Sequence, residues 1–173
     1  EKGTLADKQE LLEEAAVMAQ FVNPHVVELV GVVTVGNPIY VIVEYMEHGS
    51  LKGYLEKNDV DEKTKVLFAG DVAAGLDHVH SKGFVHRDVA ARNVLMSSEK
   101  RGKISDFGLS RDMDDGEYYQ SHRSGALPIR WTAPEAFDGV YSNKSDIWSY
   151  AITVYEILTR GEEPYSGKNN MQV

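Results

Sequence analysis

The feature that most constrains this chain is a short polar segment at residues 86–93, followed thirteen residues later by a second one at residues 106–108. The first segment reads His-Arg-Asp-Val-Ala-Ala-Arg-Asn, and the second reads Asp-Phe-Gly. Asp88 could accept a proton from a hydroxyl group, while Asn93 and Asp106 offer hard oxygen ligands of the kind that Mg²⁺ prefers. The two segments therefore predict a fold in which two loops meet around a metal-bound triphosphate.

The charge balance excludes some partners. The 173 residues carry 18 basic and 27 acidic side chains, which gives a net charge of −9. So acidic a surface argues against nucleic acid or an anionic membrane as the main partner. The sequence contains no cysteine, so it has no disulfide framework. It also contains no apolar run long enough to span a bilayer. We therefore expect a cytoplasmic chain, with any membrane association supplied by segments outside it.

Hydrophobic periodicity predicts three long helices. Apolar residues recur at spacings of three and four in residues 5–22, 62–81 and 143–159, and a shorter helix is expected at residues 51–57. The helix at residues 143–159 carries an apolar stripe around one acid, Asp146, which we expect to be buried. The stripe consists of Ile147, Tyr150, Ala151, Val154 and Leu158.

Short apolar runs predict strands as well, so the expected fold class is α+β. Residues 26–33 and 39–44 are rich in β-branched side chains and are separated by a Gly-Asn-Pro turn, which indicates a pair of strands. Residues 94–96 and 103–105 are expected to form a smaller hairpin. Residues 106–135 are polar and too long for an ordinary connection, which favours a functional or switchable loop.

The order and spacing of these motifs resemble those of the protein kinases over the whole chain. Ala-Pro-Glu follows at residues 133–135, and a helix containing Asp-Ile-Trp-Ser follows at residues 146–149. This succession argues against chance agreement of single tripeptides. The resemblance implies a two-lobed kinase fold, in which residues 1–45 form part of the small lobe and residues 46–173 form part of the large lobe.

Two features resemble the tyrosine-specific branch of that family. Serine/threonine kinases typically place a lysine two residues after the catalytic acid, whereas here that position is Ala90 and the cation is Arg92, four residues after Asp88. Residues 127–131, Leu-Pro-Ile-Arg-Trp, match the platform that cradles a substrate tyrosine. The resemblance therefore implies transfer of the γ-phosphoryl group of ATP to tyrosine hydroxyl groups of protein substrates.

The resemblance also implies a role for each candidate residue. Asp88 would orient the substrate hydroxyl group and accept its proton, and Arg92 would position the substrate and help to neutralise the γ-phosphate. Asn93 and Asp106 would hold Mg²⁺.

The resemblance implies that five further residues form the ATP site. Glu14 would be the helix glutamate that pairs with a strand lysine, and Val43 would be the gatekeeper. Glu44 and Met46 would be hinge residues, and Leu95 would form the pocket floor.

The resemblance further implies an apolar stack that links the two lobes and is anchored by Asp146. We expect His86 to be a packed core residue of this stack, and neither a base nor a metal ligand. The other members of the stack are Leu29, Met18 and Phe107.

Tyr118 and Tyr119 are candidate autophosphorylation sites in the long polar loop. The alternative is that they are two exposed aromatic residues without a regulatory role. A phosphate group would add acceptor oxygens that Arg87 and Arg111 could bind, and this would order the loop. The paired tyrosines, together with residues 84–88, resemble those of the focal adhesion kinase group.

Kinase elements that lie outside the matched region lead to a different alternative. The glycine-rich loop and strand lysine of the family precede the helix that contains Glu14, and the arginine that pairs with the acid matched by Glu135 follows residue 173. We therefore expect the chain to be an internal fragment of a longer protein, poorly folded and inactive by itself. The alternative function is that of a pseudokinase, an interaction module without catalysis. Against it, every catalytic residue that this stretch of a kinase can contain is present.

Overall fold

The computed structural model describes residues 5–112 and 128–173, and it describes side chains for all of them except residues 111 and 112. The expectations for Tyr118 and Tyr119 lie outside the described residues. So does the expectation for the Arg111 side chain, although the backbone of that residue is described.

Helices form the larger part of the regular structure in the described residues. Both long helices after the first begin at a side-chain cap. The Asp61 carboxylate accepts the Thr64 N–H at 2.7 Å, and Ser142 and Ser145 form a capping box. The α-helices are α1 Leu5–Met18, α2 Leu51–Lys57, α3 Glu62–Ser81 and α4 Asn143–Leu158, and short 3₁₀ helices span Ala91–Asn93, Ile129–Trp131 and Pro134–Asp138.

The described strands form three separate antiparallel pairs. The pairs are β1 Leu29–Val33 with β2 Tyr40–Val43, β3 Phe84–Val85 with β6 Arg111–Asp112, and β4 Val94–Met96 with β5 Gly102–Ile104. Helices and small antiparallel sheets together confirm the predicted α+β class, and they are consistent with part of a two-lobed kinase fold. The β3–β6 pair was not predicted, because a two-residue strand is too short to show any alternation of apolar and polar side chains.

Two predicted boundaries were wrong for tertiary reasons. Helix α1 ends at Met18 and not at residue 22, because the chain then turns tightly and carries Phe21 into the core, where it is 2% exposed. The first strand begins at Leu29 and not at residue 26, because Val26 instead forms a parallel bridge with Ile104 of the β4–β5 hairpin.

The core is built around α3. Phe68, Val72 and Leu76 on this helix are buried, and they share one apolar cluster with Leu51 and Leu55 of α2. Helix α3 also contacts α4 and β5. It therefore links α4 to the hairpin that follows the predicted catalytic segment.

A buried acid fixes the position of the β4–β5 hairpin on α3. The Asp71 carboxylate, 2% exposed, accepts the Arg101 Nε–H at 2.9 Å and the Gly102 N–H at 3.0 Å. One turn further along α3, Gly75 allows the backbone carbonyl of His25 to approach closely, since a Cβ atom at position 75 would collide with that oxygen. The hairpin and the turn before β1 are therefore held on the same face of α3.

The predicted orientation of α4 was wrong. Ile147 and Leu158 of the expected apolar stripe are 55% and 49% exposed in the described structure. The buried face carries polar side chains, and only the burial of Asp146 was predicted correctly. These polar groups tolerate burial because they are hydrogen-bonded. The two acids accept N–H groups from other segments, whereas the Ser and Thr hydroxyl groups donate to backbone carbonyl oxygens. The buried residues of α4 are Ser145, Asp146, Ser149, Thr153, Glu156 and Ile157.

Among the described residues, no helix combines the length and the apolar character needed to cross a bilayer.

Replacing Phe68 with alanine should lower the free energy of unfolding by about 3–5 kcal/mol, because the change leaves a cavity in the core around α3. Urea unfolding of the full-length protein measures the loss. Phe137 is 53% exposed, so Phe137→Ala serves as the matched control and should cost much less. Equal losses from the two changes would contradict the assignment of Phe68 to the core.

Candidate active site

The buried carboxylate of Asp146 holds the backbone that leads into the predicted catalytic segment. Its Oδ2 atom accepts the His86 N–H at 2.8 Å, and its Oδ1 atom accepts the Arg87 N–H at 2.8 Å. The His80 Nε2 atom lies 2.8 Å from Oδ2. Arg87 has a φ of 71°, a left-handed conformation that side-chain-bearing residues adopt at a cost of order 1–3 kcal/mol. The hydrogen bonds that these backbone N–H groups donate to Asp146 hold the chain in this conformation just before Asp88.

The structure brings Asp88, Arg92 and Asn93 together. Asn93 Nδ2 donates to the Asp88 backbone carbonyl at 2.8 Å and to the Asp88 Oδ2 atom at 2.7 Å. Arg92 Nη2 donates to the other carboxylate oxygen, Oδ1. The turn closes with a hydrogen bond from the Asn93 N–H to the Ala90 carbonyl at 2.9 Å. The Asp88 carboxylate is therefore held by one cationic and one neutral donor, in a fixed orientation.

Asp106 lies beside this cluster because of its neighbour, Ser105. The Ser105 N–H and the Ser105 Oγ atom both donate to the Asn93 backbone carbonyl, at 2.9 and 2.8 Å. Asp106 follows with a φ of 63°, and its side chain is exposed. Asn93 uses its amide nitrogen on Asp88, so its amide oxygen lies on the opposite arm of the side chain. One carboxylate and one amide oxygen are thus available on adjacent segments.

This donor set fits Mg²⁺ better than a transition metal. No group of three or more His, Cys, Asp or Glu side chains in the described residues could hold a metal ion. Mg²⁺ does not require such a group, since it is usually bound by one or two carboxylates together with phosphate oxygens and water. Asp106 and Asn93 satisfy that requirement.

His86 is a core residue, as predicted. It is completely buried, and its ring lies 5.1 Å from that of Phe107. Its Nδ1 atom accepts the Asp88 N–H at 3.3 Å, and its Nε2 atom lies 3.1 Å from the Ser105 carbonyl oxygen. A neutral imidazole with its proton on Nε2 satisfies both contacts. The ring therefore links the two polar segments by hydrogen bonds.

Phe21 is a member of the aromatic stack that sequence reasoning missed. Its ring centroid lies 4.8 Å from that of Phe107, on which the His86 ring also packs. Met18 is buried in the same apolar cluster, and Leu29 packs against it partly buried. Phe21 was missed because the predicted helix ran to residue 22, whereas α1 ends at Met18 and the turn that follows carries Phe21 into the core.

The residues predicted to contact the adenine ring lie along the junction of β2 with the β4–β5 hairpin. Val43 is 40% exposed, Glu44 is half-buried and Met46 is 9% exposed. Leu95 is half-buried and pairs with Lys103 across the hairpin, and the Lys103 Nζ atom lies 2.8 and 2.7 Å from the two carboxylate oxygens of Glu44. The Glu44–Lys103 ion pair was not predicted, and it places Leu95 next to the segment that begins at Glu44.

Glu14 and Arg87 are the other predicted residues whose side chains the structure describes. Glu14 is half-buried on α1, the helix that packs on β1 and β2. The Arg87 guanidinium carbon lies 3.7 Å from the centroid of the Tyr141 ring, which is a cation–π contact. The roles predicted for Glu14 and Arg87 stay predictions, as do those of Tyr118, Tyr119 and the Arg111 side chain.

Trp131 and Glu156 extend the site towards the predicted substrate platform. The guanidinium carbon of Arg92 lies 4.4 Å from the Trp131 ring centroid. The Glu156 Oε2 atom accepts the Trp131 indole N–H at 2.9 Å and the Ala91 N–H at 2.9 Å. Glu156 is completely buried, and burial raises the pKa of its carboxyl group although these two hydrogen bonds oppose the shift.

Sequence reasoning also missed Glu156, although a signal for it exists. The polar residues Asp146, Ser149, Thr153 and Glu156 follow one another at spacings of three, four and three, so they lie on one face of α4. Of these four residues, burial was predicted from the sequence only for Asp146.

A family model for protein tyrosine and serine/threonine kinases matches residues 1–173, the whole of this chain. The chain belongs to this protein kinase family. The expected two-lobed division of residues 1–45 and 46–173 is not tested by the match and stays a prediction.

Curated relatives fall among receptors. The chain is 41% identical over 184 residues to a putative molluscan insulin-related peptide receptor of Lymnaea stagnalis, matching 100% of this chain and 11% of the receptor. It is 40% identical to the insulin-like growth factor 1 receptor of Xenopus laevis, covering 100% of this chain and 14% of that receptor. It is 43% identical to the ephrin type-A receptor 5 of Rattus norvegicus, covering 98% of this chain and 17% of that receptor. The chain thus spans less than a fifth of these kinase-family relatives, and the similarity to focal adhesion kinase stays a prediction.

Replacing Glu156 with glutamine should make the stability of the protein less sensitive to pH. Because the folded-state pKa of Glu156 is raised above its ordinary value of 4.5, its contribution to stability is fully present below that pH and is lost as the pH rises through the raised value. Glutamine keeps the acceptor oxygen and cannot ionise. The stability of Glu156→Gln relative to the parent should therefore improve as the pH rises above 4.5.

Urea unfolding of the full-length protein across this pH range measures the difference. The exposed Glu162 offers the matched control. Glu162→Gln replaces a solvent-exposed acid, so its stability relative to the parent should change little with pH. A relative stability of Glu156→Gln that does not change with pH would contradict the assignment.

Proposed function

We propose that this chain carries the catalytic site of a tyrosine-protein kinase, which transfers the γ-phosphoryl group of ATP to tyrosine hydroxyl groups of protein substrates. The observation that carries the proposal is the Asp88 carboxylate, oriented by Arg92 on one oxygen and by Asn93 on the other. Membership of the protein kinase family supports it, since that family uses ATP and Mg²⁺ generally.

Asp88 orients the substrate hydroxyl group and accepts its proton. Its carboxylate is half-buried, so it is accessible from one side while Asn93 and Arg92 hold it on the other. Catalysis by a site of this kind is mainly alignment and charge stabilisation. A fixed acceptor therefore contributes most by holding the nucleophilic oxygen in line with the phosphoryl group.

Asp106 and Asn93 hold Mg²⁺ with the nucleotide. When bound, Mg²⁺ neutralises the negative charge on the phosphate oxygens. Through its two hydrogen bonds to the Asn93 carbonyl, Ser105 keeps the two ligand segments at a fixed separation. Val43, Glu44, Met46 and Leu95 form the adenine side of the site, and Glu14 pairs with the strand lysine of the family.

The preference for tyrosine rests on the space and the cation next to Asp88. Ala90 is completely buried and occupies the position where serine/threonine kinases typically have lysine. Arg92 replaces that cation from a position four residues after Asp88, where it stacks on Trp131. This arrangement accommodates a longer substrate side chain and places a positive charge beside the transferred phosphate. The similarity to receptor tyrosine kinases supports the same preference.

Phosphorylation of Tyr118 and Tyr119 regulates the enzyme, with Arg87 and Arg111 as the phosphate-binding cations. Arg87 already lies against Tyr141 at the start of the catalytic segment, so a phosphate group bound there would couple the long loop to Asp88. Like the kinase domains of receptor tyrosine kinases, this chain acts in the cytoplasm, and segments outside it supply any membrane association.

Replacing Asp88 with asparagine in the full-length protein should lower the turnover number by at least about a hundredfold, because asparagine cannot accept the hydroxyl proton. Phosphate transfer to a tyrosine peptide measures turnover, and binding of a fluorescent ATP analogue should persist. Asp77→Asn changes an exposed acid of α3 and serves as the control. Near-normal turnover of Asp88→Asn would refute the role, and a parent protein without any transfer would favour the non-catalytic alternative.

Replacing Tyr118 and Tyr119 together with phenylalanine should lower the activity of the full-length enzyme after incubation with ATP, because the loop then cannot gain phosphate charge. Initial rates measured before and after preincubation with Mg²⁺ and ATP check this. The parent should accelerate and the double variant should not. Tyr155→Phe changes an α4 tyrosine outside the loop and should behave like the parent. An equal acceleration of the double variant would contradict the prediction.

A further inference from the structure

We infer that Glu156 is a positioning residue, which holds the Trp131 indole against the catalytic turn so that Arg92 faces the substrate tyrosine. The inference rests on the proposed function and adds to it a residue on α4 that does not itself reach the substrate. It follows from a chain of contacts that runs from Glu156 through Trp131 and Arg92 to Asp88.

The first link is one carboxylate oxygen that serves two separate segments. Oε2 of Glu156 accepts the Ala91 N–H and the Trp131 indole N–H, both at 2.9 Å. Ala91 is the first residue of its 3₁₀ turn, so its N–H has no partner within that turn. An indole N–H can only donate. Without Glu156, both donors would lose their acceptor inside the protein.

The second link passes from the indole to Asp88. The Arg92 guanidinium lies over the Trp131 ring, 4.4 Å from its centroid, and donates to the Asp88 carboxylate. The Trp131 backbone is fixed separately, because its carbonyl accepts the Ser149 Oγ–H at 2.7 Å. Glu156 therefore controls the orientation of the ring, whereas Ser149 controls the position of the chain.

The burial of Glu156 supplies a third argument. Its Oε1 atom has no hydrogen-bond partner among the described residues, although the residue is completely buried. Burying an incompletely bonded carboxyl group is costly, and an apolar side chain of similar size would pack more cheaply. What the acid supplies in return is the pair of hydrogen bonds to Ala91 and Trp131.

Steady-state kinetics of the full-length protein with Mg²⁺, ATP and a tyrosine peptide test the inference. Glu156→Leu should lower kcat/KM for the peptide by roughly tenfold to a hundredfold, while KM for ATP stays within about twofold. Glu156→Gln keeps the acceptor oxygen and should recover most of the loss. Thr153→Val changes a buried polar residue on the same face of α4, so it controls for general damage to this helix and should leave the peptide parameters near those of the parent.

A readout other than activity separates this inference from the proposed function. The ¹⁹F resonance of 5-fluorotryptophan at position 131, assigned by its absence in Trp131→Phe, should move in Glu156→Leu and stay close to the parent in Glu156→Gln. If the resonance moves in Glu156→Leu but the parent phosphorylates no peptide, the proposed function is wrong, while the inference that Glu156 positions Trp131 stands. A resonance that does not move in Glu156→Leu would overturn the inference. Equal losses of kcat/KM for ATP and for the peptide would also overturn it, and so would a Glu156→Gln variant as impaired as Glu156→Leu.

Discussion

The structure depends on the burial of the Asp146 carboxylate beneath the catalytic segment. Burying a carboxylate is costly unless hydrogen bonds compensate for the lost water, and the backbone of His86 and Arg87 supplies donors to both oxygens of Asp146. Because these donors belong to the residues just before Asp88, the need to bond the buried acid fixes the position of the proposed catalytic base. The left-handed conformation of Arg87 persists because this requirement is stronger than its local cost.

Glu156 repeats the same principle ten residues along the helix. Asp146 bonds the chain before Asp88, and Glu156 bonds the Ala91 N–H after it, so two acids of α4 hold the catalytic segment at both ends. The second acid also reaches Trp131, and through it the cation of Arg92. Helix α4 therefore acts through its polar side chains, while α3 acts through apolar packing of residues such as Phe68.

Much of this could be predicted from the sequence, because the strongest signals are local. The bounds of α2 and α3 follow from periodicity and from a cap such as Asp61, and Asp88, Arg92 and Asn93 meet because they share one tight turn. Phe21, Lys103 and Glu156 were missed because each acts through a contact with a distant segment. The buried face of α4 was predicted wrongly for the same reason, since its polar residues are buried by contacts with distant segments.

The distance along the chain between the catalytic segment and its supports constrains how the site is assembled. His86 and Ala91 bond α4 residues that lie 60 and 65 positions later. At a synthesis rate of about 5–20 residues per second, these supports leave the ribosome roughly 3–13 seconds after the segment that they hold. Helices α2 and α3 precede the segment, so they are available to pack first. The catalytic geometry is thus completed late in synthesis, when α4 provides its two acids.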